Sequence, residues 1–230
     1  MTDLIVNANN LRKEFGKARA KVIAIDDVSL KVKKGEVVFI FGPSGSGKTT
    51  LLSMLGCILT PTSGEIIING SNITNVKDEE LVEFRRDHIG FIFQSFNLLD
   101  FLTAQENVEV ALNLSGIKGR EAKEKSKNIL IQMGLEERLD FYPYNLSGGE
   151  RQRISIARAL VNEPKIVLAD EPTGNLDSQT GHKIAELLQK IAKEKNVAMA
   201  IVTHDNRIVD IADRILYLED GLIKKEKVGV

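Results

Sequence analysis

The apolar run Val37-Val38-Phe39-Ile40-Phe41 leads directly into Gly42-Pro43-Ser44-Gly45-Ser46-Gly47-Lys48-Thr49-Thr50, and Leu51-Leu52-Ser53-Met54-Leu55 follows with a helical pattern. No other stretch constrains the fold as tightly. A buried strand must stop at a loop whose glycines turn the backbone inward, and a helix must begin on that loop. The spacing fits G-x-x-x-x-G-K-[ST], whose required context is strand, glycine turn and helix. Backbone N–H groups curled toward one point, backed by the positive end of a helix, make a seat for phosphate oxygens. In that seat Lys48 reaches the β- and γ-phosphates and the Thr49 hydroxyl ligates Mg²⁺, an ion that takes oxygen ligands. A chance lysine in a flexible surface loop needs neither the strand nor the helix, and both are here.

A second glycine pair opens another helix far along the chain, in Leu146-Ser147-Gly148-Gly149-Glu150 followed by the basic run Arg151-Gln152-Arg153-Ile154-Ser155-Ile156-Ala157-Arg158-Ala159-Leu160. One phosphate loop implies only that a nucleotide binds. Two such helix starts imply a nucleotide gripped from two sides, and hence a protein that works as a pair. A plain helix cap with Ser147 as the N-cap is compatible with that reading.

Acidic chemistry comes from Pro164-Lys165-Ile166-Val167-Leu168-Ala169-Asp170-Glu171, a buried parallel strand closing on two adjacent carboxylates. Strand side chains alternate, so Asp170 and Glu171 point different ways and take different roles. Asp170 is placed to hold the metal, usually through a water, and Glu171 to orient and polarise an attacking water. A general base in such a position contributes about 10²–10⁴-fold to rate. Two solvated acids at a strand end would be the better reading without the phosphate loop. Gly90-Phe91-Ile92-Phe93-Gln94 is another apolar run ending in a polar side chain, whose amide oxygen suits Mg²⁺ or water. Val197-Ala198-Met199-Ala200-Ile201-Val202-Thr203-His204 closes on a histidine able to donate to a γ-phosphate. A lone histidine after a strand more often has a structural role, so both readings stay open for His204.

The 230 residues suffice for one large domain, or a domain with a subdomain, around a substantial core. Lys and Arg number 31 against 32 Asp and Glu, so no global basic field favours nucleic acid. Cys57 is the only cysteine and is expected to pack as a small apolar residue, with no intrachain disulfide possible. No apolar run approaches the roughly 18 residues of a membrane span, and the N-terminus lacks the pattern of a signal peptide. A soluble, cytoplasmic chain is expected, with any membrane work left to a partner.

Along the chain, β-like runs at 24–32, 36–41 and 64–69 give way after Gln94 to helical patterns at 104–114, 120–133 and 148–161. From Pro164 onward strands and helices alternate, as in a parallel sheet with crossover helices. The helical block therefore reads as an insertion in an α/β core. Residues 121–127 alternate in charge and read as a solvated helix face.

Taken together, these motifs resemble the ATP-binding-cassette family over essentially the whole chain. The resemblance implies an α/β fold: a P-loop NTPase (RecA-like) core with an N-terminal antiparallel β subdomain and an inserted α-helical subdomain. Residues 1–94 and 164–230 would form the core and β subdomain, and 95–163 the helical part, within one domain of 1–230. It implies that Leu146, Ser147, Gly148, Gly149 and Glu150 are the signature motif, Gln94 the Q-loop, Asn175-Leu176-Asp177 the D-loop and His204 the switch histidine. Phe15 matches the aromatic that stacks on adenine, with a buried apolar Phe as the alternative. Glutamine commonly ends the signature where this chain has Glu150. Two subunits would sandwich two ATP molecules head to tail, with Ser147 and Gly149 of one copy on the γ-phosphate held by the other.

Segments 86–99, 102–108 and 172–178 look like the lipoprotein-release and macrolide-export branch, and 202–214, with 98–102, is similar to its DevA-type glycolipid exporters. That likeness implies an ATP-driven export or lipid-release subunit, peripheral on the inner face of the membrane. It would drive a permease of the MacB/LolC/DevC type, through which a periplasmic adaptor joins. Residues 95–102 would meet the permease, unless their apolar members pack inside the helical block. A regulatory cassette of the cell-division kind is the alternative. Cassettes of DNA repair or translation fit less well, because the chain has neither a long heptad run nor a second phosphate loop.

Overall fold

In the computed structural model, residues 3–17 and 20–229 are described. Numbered along the chain, the strands are β1 (Leu4–Phe15), β2 (Val22–Lys33), β3 (Val37–Phe41), β4 (Ser63–Ile68), β5 (Ser71–Asn72), β6 (Ile89–Phe93), β7 (Ile166–Asp170), β8 (Ala198–Thr203), β9 (Arg214–Glu219) and β10 (Leu222–Val228). The helices are α1 (Lys48–Leu55), α2 (Asp78–His88), α3 (Ala104–Leu114), α4 (Gly119–Gln132), α5 (Gly148–Leu160) and α6 (Ser178–Lys195).

A strand without a polar face is stable only where both of its faces are covered, and β3, β7 and β8 are apolar on both. They lie inside a six-stranded sheet of order β10-β9-β3-β8-β7-β6, parallel from β9 to β6, with β10 antiparallel at the edge. The two-residue period sends alternate side chains into two cores. Val37, Phe39, Val167, Ala169, Met199 and Ile201 face the one that α5 and α6 cover. Val38, Ile40, Leu168, Ala200 and Val202 face the other, which is closed by α1 and by a second sheet. That second sheet, β2-β1-β4-β5, is antiparallel and half-buried. In β2, Val28, Leu30 and Val32 point inward while Ser29, Lys31 and Lys33 stay exposed.

Between β6 and β7 there is no strand, only α3, α4, α5 and two short 3-10 turns. Thr103 and Glu106 close a capping box on α3. The apolar faces of these helices, including Ala104, Val108, Leu130 and Ile156, join the same core as Phe39 and Val167. Helices and sheet therefore share one continuous interior.

Register decides where the site can form. Phe41 pairs with Thr203 and Val202 with Asp170, so β3, β8 and β7 end side by side. The loops that follow them carry the phosphate motif, His204 and Glu171, and they emerge from one edge of the sheet. In open α/β sheets ligands bind outside the carboxyl ends of the strands.

Candidate nucleotide site

A cleft of ≈ 600 Å³ opens at that edge, lined by Pro43, Ser44, Gly45, Gly47, Lys48, Thr49, Thr50, Gln94, Asp170, Glu171, His204 and, from β2, Ala24. Its floor is the turn into α1. Gly47 is the N-cap with φ 101°, and a Cβ there would stand 2.4 Å from the Ala24 carbonyl oxygen. At Gly42 a Cβ would lie 2.1 Å from the Leu218 carbonyl oxygen. Only glycine fits either position. Across the loop, the buried Lys48 Nζ donates to the carbonyls of Gly42 and Pro43, 2.8 Å to each. Gly42 and Ser46 hold the turn from beneath the lining, and the Gly221 amide donates to the Ser46 carbonyl.

The six helices differ at their starts. Side chains cap α3, α5 and α6, and acids stand in the first turns of α2 and α4, whereas α1 has neither a side-chain cap nor an acid. The leading N–H groups of any helix need partners from outside it. At α1, sequence and fold leave them to an anion in the cleft.

Beside the loop stand the two carboxylates. Burial raises the Asp170 carboxyl above its ordinary value, the neighbouring Glu171 charge adds to this, and Lys48 opposes it. Glu171 follows the last strand residue and turns at φ 47°. Because Glu171 lies past the end of β7 with a left-handed backbone, strand alternation does not set its direction, and both acids line the cleft. Its amide donates to the Val202 carbonyl, 2.9 Å away. Glu171 Oε2 accepts from the Thr203 hydroxyl at 3.1 Å and from the His204 amide at 3.3 Å, while Oε1 lies 2.7 Å from His204 Nδ1. The carboxylate is largely enclosed and the imidazole largely exposed. An oriented acid thus sits at the cleft with a solvent-facing histidine bonded to it.

Gln94 is tied to the segment after the acids: Asn175 Nδ2 donates to its carbonyl at 2.9 Å, and its own Nε2 reaches Asn175 Oδ1 at 3.4 Å. Asp177 caps α6 through the Thr180 amide, and bonds from the Thr180 side chain and then its amide hold the carboxyl below the ordinary range. Leu176 lies against the start of α5, where a Cβ on Gly148 would come within 3.0 Å of it.

Ser147 is the N-cap of α5, and Glu150 Oε2 accepts from its amide at 2.9 Å and its hydroxyl at 2.8 Å. Arg138 Nε donates to Glu150 Oε1 at 2.9 Å. Leu146 is buried. None of the residues from Leu146 to Glu150 lines the cleft of their own chain. Phe15 also stands outside that lining; it is 42% exposed with Lys13 Nζ over its ring, so it is not a buried apolar Phe. Of residues 95–102, Phe96 is buried and Leu98 packs on the core, while Leu99 and Phe101 are exposed.

Two members of the site carry no motif of their own. Ala24 contributes only its place in β2, and Thr203 is a strand-end hydroxyl whose one signal is adjacency to His204.

A family model described as ABC transporter matches residues 25–174. The ABC transporter ATP-binding protein YtrE of Bacillus subtilis is 48% identical over 204 residues, covering 89% of this chain and 88% of that protein. The lipoprotein-releasing system ATP-binding protein LolD of Legionella pneumophila is 44% identical over 221 residues, 96% of this chain and 97% of that one. Among solved structures, a dimeric post-hydrolysis state of the ATP-binding cassette MJ0796 of Methanocaldococcus jannaschii, bound to ADP and Pi, matches with a TM-score of 0.88 and 42% identity. That match covers 97% of this chain and 98% of the other.

Proposed function

Since this chain belongs to the ABC transporter family, we propose that its cleft hydrolyses ATP through Glu171 and that two copies close on the nucleotides to drive a separate permease. The chain binds ATP and is an ATPase of the lipoprotein-release and macrolide-export branch. The loop amides and the uncapped start of α1 take the β- and γ-phosphates, and Lys48 turns its ammonium from the loop carbonyls onto them. Glu171 orients the attacking water and accepts its proton, and His204 steadies the carboxylate and donates to the γ-phosphate. Phosphoryl transfer needs little covalent chemistry from a protein beyond such placement and charge stabilisation.

Thr49, Asp170 and Gln94 offer hydroxyl, carboxylate and amide oxygens, a donor set that fits Mg²⁺. No group of three or more His, Cys, Asp or Glu able to hold a metal occurs among the described residues; phosphate and water would supply the ion's remaining oxygens. Asp170 would hold it through a water. When bound, Mg²⁺ neutralises phosphate charge. A half-buried carboxyl with a raised pKa beside a second acid is a place where a cation is welcome.

The head-to-tail pair is supported by a signature that misses its own cleft and by the dimeric form of MJ0796. Ser147 and Gly149 then serve the γ-phosphate held by the other copy, and Phe15 stacks on adenine. No helix among the described residues is long and apolar enough to cross a membrane, and the LolD likeness supports a permease of the MacB/LolC/DevC type. The working place is the inner face of the membrane, and any periplasmic adaptor joins through the permease. An apolar groove of ≈ 630 Å³ between α2, α3 and β6, where Ile58, Val82 and Leu114 are exposed, suits a permease segment.

The observation that carries this function is the Glu171 carboxylate, fixed by Thr203 and His204 at the mouth of the phosphate loop. Glu171→Gln is expected to lower turnover by about 10²–10⁴-fold while ATP still binds. Wild-type turnover in that variant would remove Glu171 as the base.

A further inference from the structure

Directly after Gln94 the backbone enters the left-handed region twice in succession, at Phe96 (φ 61°) and Asn97 (φ 49°). Asparagine tolerates that region, but a bulky phenylalanine does not. Such a turn persists only where its surroundings over-determine it. Here the surroundings are two arginines on one face of α5. Arg158 Nη1 donates to the Asn97 carbonyl at 2.6 Å and Nη2 to the Phe96 carbonyl at 2.9 Å. One turn-pair earlier on the helix, the Arg151 guanidinium stands 5.0 Å from the centre of the buried Phe96 ring. Arg158 has no carboxylate partner among the described residues, and burial lowers its pKa from the ordinary value.

On the other side, Asn175 fixes Gln94 through its carbonyl. Gln94 is therefore held between the segment leading to α6 and a strained turn clasped by α5. Arg158 and Asn97 also line the apolar groove beside β6.

We propose that Arg158, helped by Arg151, is a positioning residue for ATP hydrolysis: it holds the left-handed turn at 96–97 and so keeps Gln94 in the cleft. The guanidinium does not touch the nucleotide. It offsets the torsional cost that Phe96 carries, and from the last turn of α5 it ties that helix to the cleft through one rigid joint. The inference rests on the ATPase reading above.

The test is steady-state ATP hydrolysis by the full-length chain with Mg²⁺, with thermal melts to confirm folding. Arg158→Ala is expected to lower kcat by about tenfold or more with KM for ATP within about twofold, because the phosphate loop is untouched. Asn97→Val leaves Arg158 in place but penalises positive φ, and is expected to give the same kcat-selective loss. Asn97→Gly makes that φ free, and in the Arg158→Ala background it is expected to restore at least about threefold of the lost kcat. Arg158→Lys, which reaches one carbonyl, falls between wild type and Arg158→Ala. A kcat within about twofold of wild type in Asn97→Val, or no rescue by glycine, would overturn the proposal and leave Arg158 a packing residue. Should Arg158→Ala fail to fold, Asn97→Val and Arg158→Lys decide alone. Wild-type turnover that survives Glu171→Gln would instead refute the ATPase site, whatever these variants do.

Discussion

Replacing Glu150 with alanine removes three contacts at the head of α5: the Ser147 amide and hydroxyl on Oε2 and the Arg138 guanidinium on Oε1. Losing the reciprocal cap costs about 1 kcal/mol. The ion pair, with side chains 37% and 20% exposed, adds about 0.5 kcal/mol. A chain of this size loses roughly 2–4 °C of Tm per kcal/mol, so Glu150→Ala is expected to melt about 3–6 °C lower at neutral pH. Glutamine also completes a capping box, so Glu150→Gln keeps the Ser147 contacts and loses only the charge, about 1–2 °C. The pH dependence has a definite sign. Burial acts to raise the Glu150 carboxyl, but the bonds from Ser147 and Arg138 together outweigh it and hold the carboxyl below its ordinary value. A depressed carboxyl stabilises the fold above its unfolded pKa of about 4.3, and that contribution is lost as pH falls through the lower folded value. Circular-dichroism melts of wild type and Glu150→Gln should therefore differ most near neutrality and converge in acid. An alanine variant melting within about 1 °C of wild type, or a gap that fails to narrow in acid, would refute the reasoning.

At Gly149 a Cβ would stand 2.7 Å from Thr180 Cγ2, and an aspartate would set a negative charge at the positive end of α5. Gly149→Asp is expected to bind ATP as a monomer yet fail to form the ATP-bound pair in a Glu171→Gln background; an unchanged dimer fraction by light scattering would count against the sandwich. The Cys57 thiol is buried and its pKa pushed up to about 12. Native protein near neutral pH should label with a thiol reagent at least about 10²-fold slower than urea-unfolded protein, since the thiolate is the reacting form. Equal rates would place Cys57 at the surface.

The parts of the fold that were legible in the sequence are those where local chemistry repeats itself. Strands β3, β7 and β8 are unbroken apolar runs, and α3, α4 and α5 keep a helical period. Strand β1 and helix α2 carry no such signal. The alternation of β1 is interrupted where Asn10 turns at φ 47° and the register with both neighbours shifts. Helix α2 buries only Leu81 and so lacks an apolar stripe. Such elements are decided by tertiary pairing, which no local window contains.

The site divides along the same line. Residue type and spacing named Lys48, Asp170, Glu171 and His204, but the backbone angle that turns Glu171 out of the strand, and the Thr203 hydroxyl that joins His204 in holding its carboxylate, carry no motif. The two glycine-led helix starts read alike in sequence and differ in structure. At α1 no side chain takes the leading amides, so a phosphate in its own cleft meets donors without competition. At α5 the Ser147 hydroxyl donates to the Glu150 carboxylate and accepts from the Glu150 amide, so that start is already capped. A nucleotide gripped from two sides therefore meets one start that needs it to satisfy its backbone and one that is complete without it. On the proposed pairing the first would hold ATP in a lone subunit, while the second would engage only when a second copy brings its phosphate within reach. Dimer closure would then depend on nucleotide, while nucleotide binding would not depend on the dimer.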